Sequence, residues 1–347
     1  MRAAYVEETG PVENIRVGDL PRPSPNPGQA LVRVKAAAIN PIDLYIRAGT
    51  VAMPLAFPYV IGTDVAGTVE ELGTGVTRFA VGDRVWGSNQ GLLGRQGVAA
   101  EFAAIDEEWL YPTPDALSDT EAAALALTGI TAHLGLFQCG RLKSGESVYV
   151  PGGSGGVGSM VIQMARAVGA RVATSAGNEE KLALCRSLGA DLALNYKSDD
   201  LPAKLREFAP EGLDVWYETQ REPNLDVAIP LLRKRGRMIL MAGRTARPVL
   251  PLGSFYPRDC SLIGFAMFNA SADEQRRSAE EITEWVAPGR LKPIVGKVFP
   301  LERAAEAERL LEANTLGGAG TLSGKVVISI PCIAPVVATT GVAGSSP

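Results

Sequence analysis

The chain has 347 residues, with 34 lysines and arginines against 38 aspartates and glutamates and one histidine, for a formal net charge of −4. With a pI near 5.4 this excludes the basic surface that nucleic-acid binding needs. A 46% hydrophobic and 21% charged composition suits a globular protein of two ordinary domains. No apolar run approaches the roughly 20 residues of a membrane span, and Met1-Arg2-Ala3-Ala4-Tyr5-Val6-Glu7-Glu8 lacks the apolar core of a signal peptide. Cys139, Cys185, Cys260 and Cys332 are scattered with no C-x-x-C among them, which reads as the reduced thiols of a cytoplasmic protein.

In chain order, roughly the first 120 residues read as β-rich. Leu31–Ala37 and Ala66–Glu71 are strand-like, punctuated by turns at Asn26-Pro27-Gly28, Leu72-Gly73-Thr74-Gly75 and Val81-Gly82-Asp83-Arg84. An alanine- and leucine-rich helix is predicted over Leu117–Cys139, with Ser118 as N-cap and Glu121 completing a capping box. Strand and helix then alternate: Val148–Val150, a helix from Met160 to Val168, strand Ala170–Ser175, helix Glu179–Leu188, strand Leu192–Asn195, helix Leu201–Phe208, strand Leu213–Glu218, helix Pro223–Leu232 and strand Arg237–Met241. That alternation predicts an α/β fold with a doubly wound parallel sheet. Ser261–Phe265 adds an edge strand and Asp273–Trp285 a helix. Beyond Pro293, short β-like pieces surround a helix at Glu302–Glu312, which predicts a return to the first domain, and 331–347 read as an unstructured tail.

The stretch from Val148 to Gly158 carries the strongest signal. A β-branched and aromatic strand runs into Gly153, Ser154, Gly155, Gly156, Val157 and Gly158, with glycines at G-x-G-x-x-G spacing, and an amphipathic helix follows. In that context the first glycine serves a tight turn, the second the approach of a pyrophosphate, and the third helix–strand packing. The helix start presents free N–H groups and its positive dipole end to the anion. The next strand decides between the two dinucleotides. An NAD site places an acid at its tip, whereas this chain has Ser175-Ala176-Gly177-Asn178, with Lys181 shortly after and Tyr196 near the following strand. A missing carboxylate favours a 2′-phosphate, so the expected cofactor is NADPH. Lys181 is either a ligand of that phosphate or a solvated helix charge, and Glu179 and Glu180 either argue mildly against a 2′-phosphate or complement the helix dipole. Gly243-Arg244 follow a strand at the carboxyl edge of the sheet, where such folds bind ligands.

The first domain also contains Ala36-Ala37-Ala38-Ile39-Asn40-Pro41-Ile42-Asp43-Leu44-Tyr45-Ile46-Arg47-Ala48-Gly49 and Pro58-Tyr59-Val60-Ile61-Gly62-Thr63-Asp64-Val65-Ala66-Gly67. With the glycine motif, these resemble the medium-chain dehydrogenase/reductase superfamily, and within it the zinc-independent, zeta-crystallin-like quinone oxidoreductases, over nearly the whole chain. The resemblance implies a GroES-like catalytic domain (1–122 and 268–330), a Rossmann domain inserted between its halves (123–267), a cleft between them and a homodimer. The chain departs from the zinc enzymes of the superfamily at each metal position. Asn40 stands at a cysteine ligand, Gly62-Thr63-Asp64 replaces Gly-His-Glu, residues 85–110 contain no cysteine, and His133, the sole histidine, lies elsewhere. The expectation is therefore no metal, no membrane or nucleic-acid partner, and an acceptor already electrophilic enough to take hydride. That acceptor is a quinone or, alternatively, an α,β-unsaturated carbonyl; a non-catalytic, crystallin-like NADPH-binding role is the remaining alternative. Asn40 and Tyr45 match the family's Asn-x-x-Asp-x-Tyr pattern and are expected to donate to the developing oxyanion. Asp43 either orients Tyr45, buttresses the loop or caps the turn. Thr131 matches a threonine beside the nicotinamide, and Phe265 and Met267 a stretch passing its carboxamide. Lys325 either lies near the cofactor or is an exposed strand charge. His133 is read as a helix residue, not a general base.

Overall fold

The alternating centre of the chain builds one sheet and its two ends build another, in a computed structural model that describes residues 1–331. Six parallel strands form the central sheet in the order Leu192–Asn195, Arg171–Ala176, Ser147–Pro151, Leu213–Glu218, Leu232–Leu240 and Ser261–Gly264. The order reverses at Ser147–Pro151, the strand before the glycine-rich turn, so the crevice where such sheets bind ligands opens there. Ser261–Gly264 lies at the edge, as its short, semi-polar sequence predicts. Its neighbour starts earlier than expected, at Leu232, because the helix with Pro230 inside it stops at Leu231.

The second sheet runs Val295–Pro300, Lys325–Ser329, Gln29–Ile39, Asp64–Leu72, Arg84–Gly87 and Leu110–Pro112, with Phe102–Asp106 also paired to Gln29–Ile39. Two of its strands come from beyond residue 290, so the chain leaves this sheet, builds the central one and returns. A small sheet of Arg2–Val6, Arg16–Asp19 and Tyr59–Val60 completes the first domain. These short strands escaped the sequence reading because too few residues alternate in each to show a period. Of the tail 331–347, all but Pro331 lies outside the described residues.

Helix Asp119–His133 packs on the second sheet and against helices Gly156–Ala167 and Ala272–Val286, and continues through a π-helical turn, Leu134–Cys139. Its alanines at 122, 123, 124 and 126 are buried and let it approach its neighbours closely. The capping box at Ser118 and Glu121 forms as predicted, with the Ser118 N–H donating to Glu121 Oε2 at 3.0 Å. One sequence expectation needs correcting: Asp119–Cys139, at 21 residues, is long and apolar enough to cross a membrane by length and composition. Of its most apolar 18-residue window 78% is buried in this fold, against the second sheet and the two neighbouring helices.

The first domain is pinned to its late-returning segment by a buried charge. Arg47, at the end of helix Pro41–Arg47, donates to Glu308 at 2.6 Å, to Glu312 at 3.0 Å and to the Gly10 carbonyl at 2.6 Å, and both Arg47 and Glu308 are fully buried. Burial pushes the Glu308 carboxyl up to about 7 against the pull of Arg47. Arg47→Ala strands that carboxyl and is expected to cost about 3–5 kcal/mol in urea unfolding. Arg47→Lys should recover only part, since one ammonium cannot span three acceptors held on two elements; a loss below about 1 kcal/mol for Arg47→Ala would refute the pinning role.

Candidate active site

A cavity of about 790 Å³ opens between the two domains. One wall is the glycine-rich turn and the start of helix Gly156–Ala167, with Gly155, Gly156, Val157 and Gly158 on the surface. A second comes from the carboxyl ends of the neighbouring strands, with Thr219, Arg221, Gly243 and Arg244, then Phe265 and Met267. The third belongs to the first domain and carries Asn40, Ile42, Tyr45, Val51 and Lys325. Thr131 reaches the same space from the central helix; its buried Oγ1 has no partner among the described residues, while its carbonyl accepts from Tyr217 at 2.7 Å.

The glycine motif divides its work differently from the expectation. The left-handed residue of the turn is Gly152, at φ 70°, not Gly153. Gly153 instead packs against the Thr174 side chain, and a Cβ on Gly158 would overlap the Gly152 carbonyl oxygen, which is why the helix can start so close to the strand. Ser154 lies off the cavity and accepts the Gly324 N–H at 2.8 Å through its carbonyl. The residues chosen for the 2′-phosphate cluster at the far end of the sheet: Ala176 pairs in register with Asn195, and the Tyr196 hydroxyl packs over Gly177. Two of them are committed elsewhere. Ser175 turns its hydroxyl inward to Tyr149 at 2.8 Å, because strand alternation points it into the core. Lys181 reaches the Gly320 and Leu322 carbonyls at 2.6 and 2.8 Å, so it is not the solvated helix charge considered from sequence.

On the acceptor wall a buried polar network organises Asn40. Asn40 Nδ2 donates to Asp64 Oδ2 at 2.8 Å; Lys325 Nζ donates to Asn40 Oδ1 and to the Ile39 carbonyl at 2.7 Å, and lies 3.5 Å from Asp64 Oδ2. Ser88 Oγ at 2.7 Å and the Leu127 N–H at 3.2 Å hold the other Asp64 oxygen. Burial pushes the Asp64 carboxyl up, and Lys325, Asn40, Ser88 and Leu127 pull it back. The net shift is upward, and the donors on both oxygens, the Lys325 ammonium among them, favour the carboxylate against it. Burial likewise pushes the Lys325 ammonium down while Asp64 and Asp43 hold it up. Lys325 is thus neither an exposed strand charge nor free to meet a phosphate.

Asp43 does not line the cavity. It accepts from the Asn40 N–H at 2.7 Å and from the Thr63 hydroxyl, which makes it the buttress of the Asn40 turn and not the partner of Tyr45. His133 also stays off the cavity: its Nε2 meets Glu281 at 3.0 Å, its ring packs on Phe137 and Trp285, and burial pushes its pKa down. The sequence reading missed Asp64 as a partner of Asn40, having considered it only as an absent metal ligand. It also missed Arg221, which follows strand Leu213–Glu218 as Gly243-Arg244 follow the next; the same strand-end rule would have found it. Among the described residues, no three His, Cys, Asp or Glu side chains are grouped to hold a metal ion.

Fold and site together define a two-domain oxidoreductase with a nicotinamide-dinucleotide cleft. Residues 26–115 match the alcohol dehydrogenase GroES-like domain family and residues 156–285 the zinc-binding dehydrogenase family. The chain is 36% identical over 309 residues to rat quinone oxidoreductase, covering 88% of this chain and 92% of that one. It is 30% identical over 329 residues to a 2-haloacrylate reductase of a Burkholderia species, covering 89% and 95%. Among solved structures, an NAD-dependent alcohol dehydrogenase superposes with TM-score 0.87 at 33% identity over 95% of this chain and 100% of that one. A mycobacterial protein complexed with NADPH superposes with TM-score 0.82 at 30% identity over 95% and 100%. The chain belongs to the medium-chain dehydrogenase/reductase superfamily. Within it, the chain falls in the quinone oxidoreductase group.

The buttress has a pH signature. Burial, reinforced by Glu308 and Asp64, pushes the Asp43 carboxyl from 3.8 to about 8 against the pull of Thr63 and Asn40. Across that window the folded chain keeps a proton that the unfolded chain has lost, so Asp43 subtracts stability as pH rises. Urea unfolding between about pH 5 and 8 should show stability falling with pH in the wild type and falling less in Asp43→Asn. Equal slopes would mean that Asp43 is already ionised in the folded chain.

Proposed function

We propose that this protein is an NADPH-dependent, zinc-independent reductase of quinones. The observation that carries the reading is that one cavity is lined both by the start of the glycine-turn helix and by Asn40 and Tyr45. The cofactor's reacting end and an acceptor therefore share a space closed on three sides. Free N–H groups at the helix start and the guanidinium groups of Arg221 and Arg244 suit the anionic part of a dinucleotide, and the orphan Thr131 hydroxyl suits its polar head. When bound, the dinucleotide supplies hydride.

The rest of the work falls to the chain itself. Ile42, Val51 and Phe268 offer a flat acceptor an apolar seat that excludes water from the reacting atoms. Asn40 and Tyr45 donate to the oxygen on which charge develops. The donors a metal would need on this wall are occupied: Asn40 and Asp64 hold the Lys325 ammonium. An acceptor that is electrophilic without a Lewis acid fits that wall, and quinones are the strongest such class. Identity to the 2-haloacrylate reductase favours activated alkenes as the second reading. The missing acid at Ala176, with Tyr196 over Gly177, supports NADPH over NADH. The same reading includes a second copy of this chain at the Ser261–Gly264 edge, beside exposed Val249, Leu252 and Tyr256.

Fluorescence titration should give clearly tighter binding of NADPH than of NADH; equal affinities would remove the cofactor assignment. In turnover with simple 1,4-quinones and with enones, quinones should be reduced faster. Tyr45→Phe should cost the enone a factor on the order of 10² and the quinone less, because the poorer electrophile leans more on the oxyanion donor. Wild-type rates with both acceptors would make Tyr45 a packing residue. Sedimentation at micromolar concentration should give a dimer that Tyr256→Asp weakens, and a monomer would withdraw the edge pairing.

A further inference from the structure

Lys325 enters strand Lys325–Ser329 directly after Gly324, whose N–H is held by the Ser154 carbonyl of the glycine-rich turn. The register pairs Val326 with Ile39, so Lys325 lies opposite Asn40. Its stem runs past the helix start: a Cβ on Gly156 would stand 3.2 Å from Lys325 Cδ and 2.9 Å from Thr128 Cγ2. Its three ammonium hydrogens face three oxygens, those of Ile39, Asn40 and Asp64. None is left for a ligand, so the residue does not act by touching one.

What the pair of charges does is choose between the two orientations of an amide. Asn40 presents its oxygen to the ammonium and its Nδ2 to the carboxylate. Turned over, it would set N–H groups against Lys325 and a carbonyl oxygen against Asp64, two repulsive contacts in a site closed to water. Asp64 is itself clamped by Ser88 and Leu127 and cannot swing to accommodate the turned amide. With one Nδ2 hydrogen on Asp64, the other remains on a side chain that lines the cavity.

We propose that Lys325 is a positioning residue for the acceptor: with Asp64 it locks the Asn40 amide so that one N–H is always presented to the oxygen being reduced. This rests on the reading of Asn40 as an acceptor-side donor. Its stem beside Gly156 joins the lock to the helix start, so the donor is aligned by the same contact that closes the turn.

The test is a double-mutant cycle of Lys325→Met and Asn40→Ala, reading kcat, the KM for quinone and enone, and the NADPH dissociation constant by fluorescence. Lys325→Met should lower kcat with the enone at least tenfold, with NADPH affinity within twofold of wild type. In the Asn40→Ala background the same change should have little further effect on kcat. If it lowers kcat by the same factor in both backgrounds, Lys325 acts independently of Asn40 and the proposal falls. It also falls if Lys325→Met weakens NADPH tenfold with kcat unchanged, which would make it a cofactor residue. If Asn40→Ala alone leaves both acceptors at wild-type rates, the acceptor-side reading of Asn40 fails instead. Should Lys325→Met not fold because Asp64 loses its counter-ion, the cycle is run with Asp64→Asn/Lys325→Met. That double variant removes both charges, keeps the volume and is expected to show the same loss of kcat and the same dependence on Asn40.

Discussion

Strand Lys325–Ser329 of the second sheet follows the whole of the central sheet along the chain, and the loop that leads into it is tied to the central domain at three residues. Lys181 holds the carbonyls of Gly320 and Leu322, and the Ser154 carbonyl takes the Gly324 N–H. Two residues later the chain is in register with Gln29–Ile39. The two walls of the cavity are therefore joined across this seam by the Lys181 ammonium and by one backbone hydrogen bond. Gly155 and Gly156 lie on one side of that seam, Asn40 and Lys325 on the other.

The first domain buries an unusual amount of charge around this seam. Arg47, Glu308 and Asp64 are fully buried, and Lys325 nearly so. Replacing a buried pair with apolar groups is often neutral or stabilising, so such pairs are weak evidence for stability as such. Here they have geometric consequences. Arg47 ties helix Pro41–Arg47, which carries Tyr45, to helix Ala304–Thr315, while Asp64 and Lys325 hold the residue that caps the same short helix. A seven-residue helix has little intrinsic stability, and the charges around it specify where Asn40 and Tyr45 stand at the cavity.

Composition and pattern carried much of the fold. The strands Leu192–Asn195 and Leu213–Glu218 and helix Leu201–Phe208 match the sequence reading to the residue, since the strands read as short, largely apolar runs and the helix between them carries a clear cap at Asp200. The small sheet of Arg2–Val6, Arg16–Asp19 and Tyr59–Val60 was not legible. A two-residue strand has no period, and its partners lie more than fifty residues away in the chain.

The site divides along the same line. What the residues determined by themselves was local chemistry: a glycine spacing between a strand and a helix that suits a dinucleotide turn, an acid absent where NAD would need one, and an Asn-x-x-Asp-x-Tyr turn. Which of those side chains are free to act was decided by tertiary structure. Ser175 and Asp43 were chosen by position, yet their oxygens are used by Tyr149 and Thr63. Lys325 looked like a cofactor ligand or a surface charge, and it is the counter-ion of Asp64, 261 residues earlier. A hydrogen-bonding group buried from water must find a partner, and that partner is whatever the fold brings within about 3 Å. Sequence spacing says nothing about it across two domains.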